Sequence, residues 1–264
     1  MPPIDTTLVA SLLGPHGPSF ESVLETDSTN RQLLDRTFDG EAAAPRLLVA
    51  ERQTAGRGRR GRSWVAEPGR SVCLSLAIER EVGTPLRPGL PLAIGCALAC
   101  ALEPVSNGLA LKWPNDLLRH GRKCAGILIE SKRGGAPALG IERCVIGVGL
   151  NLAAPRDESG LIGQPAGGLF DDLLAAPRIE SVIARVAQAL IEAAALHGHQ
   201  GLAPFLADWS RLDAWHGRAV SVSDAGQLVA QGIAQGIDES GALRLHTAAG
   251  PRSIVAGDVS LRLQ

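Results

Sequence analysis

Residues 52–62 read RQTAGRGRRGR, five arginines threaded through three glycines in a chain whose net charge over 264 residues is −1. The segment Gly56-Arg57-Gly58-Arg59-Arg60-Gly61 formally satisfies G-x-G-x-x-G, the pattern that opens a doubly wound dinucleotide fold. That pattern must close a strand and begin a helix. Here Ser63-Trp64 and then Glu67-Pro68-Gly69 follow, which prolong a loop. Four arginines at or beside the variable positions would also crowd a close helix–strand approach. The doubly wound fold is rejected on this context. Guanidinium groups are permanently charged forks that match carboxylate and phosphate oxygens, and glycines let backbone N–H groups approach an anion. The stretch reads as a clamp for an anionic small molecule, against the plainer readings of a solvated basic loop or a nucleic-acid patch.

Outward from this loop the chain alternates strands and helices. Arg46–Glu51 is a compact strand before it, and Ser71–Glu79 (SVCLSLAIE) alternates as the strand after it. Residues 5–13 form a short helix stopped by Gly14-Pro15, and Phe20–Thr26 is extended. Asp27-Ser28-Thr29-Asn30 is rich in capping side chains and opens a helix through about Thr37. Residues 88–103 are apolar nearly all round, which suits a buried helix. Lys123–Ser131 and Arg143–Asn151 are apolar strands, residues 153–177 a long ordered loop, and residues 179–197 an amphipathic helix. From His216 the texture changes to short alternating runs divided by Asp-Ala-Gly, Glu-Ser-Gly-Ala and Ala-Ala-Gly-Pro turns. Four or five strands in so few residues read as a small barrel or sandwich. Two domains are expected, 1–215 and 216–264.

Composition narrows the function classes. Hydrophobic residues make up 45% of the chain and aromatics only 3%, with no tyrosine, so the core is built from aliphatic side chains. The near-neutral charge argues against a dedicated nucleic-acid binder. Nothing resembles a secretory leader or a membrane span, so a cytoplasmic protein is expected. Cys73, Cys96, Cys100, Cys124 and Cys144 include no C-x-x-C pair and sit in apolar surroundings. All five are expected as buried, reduced thiols.

A second segment, Leu111–Glu130, reads LKWPNDLLRHGRKCAGILIE. Lys112-Trp113-Pro114-Asn115-Asp116 sets a cation, a ring, a turn residue, an amide and a carboxylate in succession. Alone it is a β-turn with surface charges, in which Pro114 holds Trp113 extended. Lys112, Asp116 and Lys123 gain meaning from the arginine loop upstream and Gly-Val-Gly-Leu-Asn at 147–151 downstream.

In combination, DSTN at 27–30, QTAGRGRRGRSW at 53–64, KWPNDLL at 112–118, GRKCAGILIE at 121–130 and VIGVGLN at 145–151 resemble the biotin protein ligases (biotin–[acetyl-CoA-carboxylase] ligase). FLADWSRLDAWHGRAV at 205–220 and GDVSLRL at 257–263 are similar to that family's C-terminal module. The likeness runs from about residue 20 onward. It implies an α+β fold, a mixed central β-sheet flanked by helices in a class II synthetase-like catalytic domain, followed by a small SH3-like β-barrel. With only about twenty residues before the first motif, the likeness is to the monofunctional class without an N-terminal DNA-binding domain.

The resemblance implies activation of biotin by ATP as biotinyl-5′-AMP, then transfer to a lysine of a biotin carboxyl carrier protein or domain. By family position Lys123, Arg59 and Asp116 are the catalytic candidates. Ser28, Thr29, Asn30, Gln53, Gly56, Arg57, Gly58, Arg59 and Lys123 are the biotin-binding candidates, with a helix N-cap as the plain role of Ser28. Arg59, Arg60, Arg62, Lys112, Asn115, Asp116 and Asn151 are the ATP-binding candidates. Mg²⁺ is expected mainly through ATP, with Asp116 nearby, and Trp64 is expected over the ligand or the loop, or in the core. The family's habit of pairing sheet edges leaves a homodimer open. The rivals are a lipoate or octanoate protein ligase and a non-enzymatic biotin-sensing or RNA-binding module.

Overall fold

A computed structural model describes residues 4–37, 44–81, 87–134, 140–156, 162, 164–224, 226–255 and 259–263. Among them, seven strands form one sheet: β1 Ser19–Thr26, β2 Arg46–Gln53, β3 Ser71–Glu81, β4 Leu109–Lys112, β5 Asp116–Arg119, β6 Arg122–Arg133 and β7 Ile141–Asn151. Their order is β1-β2-β3-β7-β6-β5-β4. Only β1 and β2 run parallel; every other neighbour is antiparallel, so the sheet is mixed.

The two faces are used differently. Helices α1 Thr6–Leu13, α3 Leu90–Leu102 and α4 Ile179–Gln200 share one face. Most of α3 is buried, as its apolar circumference predicts, because it lies between the sheet and α4. Gly95 lets it come close: a Cβ there would sit 3.2 Å from Leu111. Each fully buried Leu or Ile of this layer contributes roughly 1.5–3 kcal/mol. Among the described residues, the opposite face carries only the short helix α2 Thr29–Leu34 and the arginine loop, which leaves it open beside them.

Several boundaries differ from the sequence reading. Helix α2 stops at Leu34 rather than near Thr37. The guanidinium of Arg143 takes the carbonyls of Leu33, Arg36 and Thr37, which further helical turns would have needed. The KWPND segment is more than a turn. It joins β4 to β5 as a hairpin, with a cis Trp113–Pro114 bond in place of the extended link expected of Pro114. A helix at Leu206–Leu212, α5, was not foreseen. Of the expected loop 153–177, residues 157–161 and 163 lie outside the described residues.

After α5 come β8 Ala219–Asp224, β9 Gln227–Ile237, β10 Leu243–Thr247, β11 Gly250–Ile254 and β12 Val259–Leu263. They make an antiparallel five-stranded sheet in the order β11-β10-β9-β8-β12. This is the small β module predicted by the alternating runs after His216. Its core residues Val220, Val222, Leu243, Leu245 and Leu261 are contiguous with the core under the large sheet. Trp113 Nε1 donates to Gly241 O across the junction at 3.1 Å.

Among the described residues no helix is long and apolar enough to cross a membrane. All five cysteines are free thiols, four of them buried. Cys100 departs from expectation: it is half-buried on α3, beside the Arg211 guanidinium at 3.5 Å.

Candidate functional site

On the open face, the strand register sets side chains in rows. Ala50, Cys73, Gly149, Gly126 and Asp116 are successive cross-strand partners from β2 to β5. The next row is Leu48, Ser75, Gly147 and Leu128. Glycine is required where these rows meet other groups. A Cβ on Gly149 would lie 2.2 Å from the Trp64 ring, and one on Gly147 2.2 Å from Asn30 Oδ1. The glycines thus form a shallow trough, with Trp64 across one part and Asn30 inserted in another. Burial pushes the Cys73 thiol on this floor up to about 12, so it stays neutral.

Helix α2 presents its N-terminal end to the trough. Ser28 is its N-cap, the hydroxyl accepting from Arg31 N at 3.4 Å, and Ser28, Thr29 and Asn30 are all buried. Thr29 donates to Gln53 Oε1 from its N–H at 2.8 Å and from its hydroxyl at 3.1 Å. Ser75 Oγ, wholly buried, lies 2.7 Å from Thr29 Oγ1 and 2.6 Å from Asn30 Oδ1. Asn30 Nδ2 donates to Leu128 O and to Glu130 at 2.8 Å. Glu130 in turn holds Arg57 at 3.1 Å. A continuous polar network therefore runs from the helix cap to the arginine loop.

The loop itself is a small β-like excursion. Trp64 N–H donates to Gly56 O at 2.9 Å, Gly58 N–H donates to Arg62 O at 2.7 Å, and Arg57 bridges Ser63. A Cβ on Gly56 would meet Trp64 O at 2.5 Å, so this glycine serves the loop's neck. Arg59 reaches Asn115 Oδ1 at 3.4 Å. Arg60, at a φ of 64°, turns toward the C-terminal module and pairs with Asp224 at 2.8 Å.

At the far end of the trough the cations converge on one carboxylate. Lys123 Nζ lies 2.6 Å from Asp116 Oδ1, and Lys112 Nζ 3.8 Å from Asp116 Oδ2. Lys123 reaches this face through a bulge: Leu117 pairs Ala125 but Leu118 pairs Lys123, with buried Cys124 as the extra residue. Lys112 also stands 4.8 Å from the Trp215 ring centroid and donates to Gln164 at 3.2 Å. Burial lowers its ammonium to about 8 against the opposing pull of Asp116. Arg62 and Arg262 add positive charge to this end.

The result is a cavity of about 490 Å³, large enough for a small-molecule pair, with a neutral glycine-floored half and a cationic half. Residues 23–151 match the model of the biotin/lipoate A/B protein ligase family, and residues 216–262 match the biotin protein ligase C terminal domain. A biotin--[acetyl-CoA-carboxylase] ligase from Mycobacterium tuberculosis is 35% identical over 271 residues, covering 98% of this chain and 96% of its own. The chain belongs to the biotin protein ligase family. The bifunctional ligase/repressor BirA of Escherichia coli is 37% identical over 239 residues, covering 89% of this chain and 72% of its own. The solved biotin protein ligase from Aquifex aeolicus in complex with biotin and ATP shares the fold, with a TM-score of 0.77 at 24% identity, covering 93% and 99% of the two chains. The mixed sheet with its SH3-like C-terminal module is the α+β fold expected of a biotin protein ligase.

Against the family's motifs, the cavity gathers Ser28, Thr29, Asn30, Gln53, Arg57, Gly58, Arg59, Arg62, Lys112, Asn115, Asp116, Lys123 and Asn151. Gly56 and Arg60 are not among its lining residues, for the reasons of loop geometry above. Ser75, Glu130, Gln164 and Arg262 were not singled out from the sequence. The alternation of SVCLSLAIE could have placed Ser75 beside Cys73 on the site face; the contribution of Arg262 depends on how the modules pack.

Proposed function

We propose that the chain activates biotin with ATP and transfers it to a lysine of a carboxyl carrier domain. In the first step a biotin carboxylate oxygen attacks the α-phosphorus of ATP, and pyrophosphate leaves with the electrons of the broken P–O bond. In the second, the carrier amine attacks the acyl carbon of biotinyl-5′-AMP, AMP departs, and the nitrogen gives up a proton. Both reactants of the first step are anions. The observation that carries the reading is the join inside one cavity between a neutral trough and the Lys123–Asp116–Lys112 cluster.

The trough suits an apolar fused ring, and the α2 end offers hydroxyl and amide groups to its ureido cap. Lys123 and Arg59 then face the carboxylate and the transferring phosphate. Lys112, Arg62, Asn115 and Asn151 serve the nucleotide. Positioned donors of this kind are each worth roughly 10²–10³ in rate, and holding the two anions in line adds an entropic gain.

Asp116 is, among the described residues, the only carboxylate lining the cavity. One carboxylate beside phosphate oxygens matches the way Mg²⁺ is held with a nucleotide, through substrate phosphates and one or two protein carboxylates. Bound there, Mg²⁺ neutralises phosphate charge. Asp116 also orients Lys123 and, as the carboxylate that lines the cavity among the described residues, takes the carrier amine's proton.

The test is incubation with ATP, Mg²⁺, a biotin carboxyl carrier domain and either biotin or lipoate, followed by mass spectrometry of the carrier. Mass gain with biotin alone is expected. Gain only with lipoate, or none with either, overturns the reading.

A further inference from the structure

Helix α2 and its N-cap carry three of the side chains assigned to biotin, yet the helix's six residues, about 9 Å long, are too few to hold themselves in place. Something outside must fix it to within tenths of an ångström. Its apolar contribution is small: Leu33 packs in a separate minor cluster with Leu48, Ala77 and Val145.

The rest is polar: Gln53 of β2, Ser75 of β3 and Leu128 and Glu130 of β6 hold its N-terminal end, and an arginine of β7 holds its C-terminal end. Arg143 of β7 has a side chain only 3% exposed, and its partner Glu79 of β3, directly opposite in register, is 5% exposed. Arg143 Nε donates to Glu79 Oε1 at 2.9 Å, and Nη2 completes the pair. The remaining guanidinium N–H groups serve the end of α2: Nη1 donates to Leu33 O at 2.9 Å and Arg36 O at 2.7 Å, and Nη2 to Thr37 O at 3.1 Å. A cation at a helix C-terminus also meets the favourable end of the peptide dipoles. Four residues along the same strand face, about 13 Å away, Gly147 receives Asn30 at the other end of the helix. Strand β7 thus grips α2 at both ends, by a charged fork at one and a missing side chain at the other.

A buried ion pair is seldom needed for stability, since apolar replacements of similar volume often serve as well. What apolar packing lacks is direction: a fork with three carbonyl acceptors fixes where the helix lies along the strand. We infer that Arg143, aligned by Glu79, is a positioning residue that sets the axial placement of α2 and thereby the affinity for biotin, without touching the ligand. The inference rests on the reading of the trough as the biotin site.

The test combines Arg143→Met with Glu79→Gln, so that no lone charge is left buried, and measures KM for biotin and for ATP below the melting temperature. Wild-type enzyme is run in parallel; if it does not biotinylate the carrier, the functional reading fails, not this inference. With an active wild type, the KM for biotin should rise about tenfold in the variant, from loss of ground-state contacts, while the KM for ATP stays within about twofold. An unchanged biotin KM, or equal rises in both constants, overturns the inference. Should the double variant not fold, Glu79→Gln alone, which keeps an acceptor for Nε, reads the same split at about threefold in biotin KM; the same two outcomes count against it.

Discussion

Lys123 and Asp116 stand 2.6 Å apart because a one-residue bulge at Cys124 turns the lysine onto the face that carries the carboxylate. In a regular strand Lys123 would alternate away from Gly126. The bulge is what brings the ammonium to the trough, where it also faces the Trp64 ring at 5.4 Å from its centroid.

Replacing Lys123 by alanine should therefore stop adenylate formation without unfolding the protein. Lys112 remains to compensate Asp116. Pyrophosphate release should fall by roughly 10²–10³, with circular dichroism unchanged. Release near the wild-type rate would remove Lys123 from the mechanism.

Arg59 touches the rest of the site through Asn115. Arg59→Gly should loosen the loop over the bound anhydride, which a closed loop shields from water. The expected signs are faster adenylate dissociation and more labelling of lysines outside the carrier domain. Equal dissociation rates in wild type and variant would refute this.

The depressed Lys112 ammonium makes a prediction about pH. Its folded value is about 8 against 10.5 for the free group. As pH falls below 10.5 the unfolded chain takes up the proton first, so this group costs stability progressively down to about pH 8 and no further. For function the charge matters in the opposite sense: raising pH through 8 strips the cation from the end of the cavity proposed for the nucleotide. KM for ATP should climb between pH 7 and 9 in wild type and stay flat in Lys112→Arg. Parallel profiles would show that Lys112 does not meet the nucleotide.

Gly147 tolerates no side chain. Gly147→Ala places a methyl 2.2 Å from Asn30 Oδ1, within a network whose members have no slack. It should cost about 1–3 kcal/mol of stability and weaken biotin more than ATP, as read by calorimetric titration of each ligand. Unaltered biotin affinity would mean Asn30 can retreat freely.

Much of this was legible in the chain. The cap at Ser28, the arginine loop, the strand preceding it and the apolar helix against the sheet follow from capping, charge and periodicity. What escaped depends on register and packing. KWPND reads as a turn because its strands are four residues each, too short for an alternating pattern. The bulge at Cys124 has no local signature. Arg60 and Arg62 are indistinguishable in sequence, yet one pairs with Asp224 and the other lines the cavity. Cys100 sits among alanines and leucines, but its helix turns that face partly outward.

Trp113 lines the cavity, Trp215 stands beside Lys112 and Trp209 is buried in the core, whereas the indole of Trp64 lies on the glycine floor beside the Lys123 ammonium. A ligand that draws Lys123 aside or lifts that ring will change its emission. The molecule carries its own optical gauge of occupancy, readable by stopped-flow fluorescence with no dye attached.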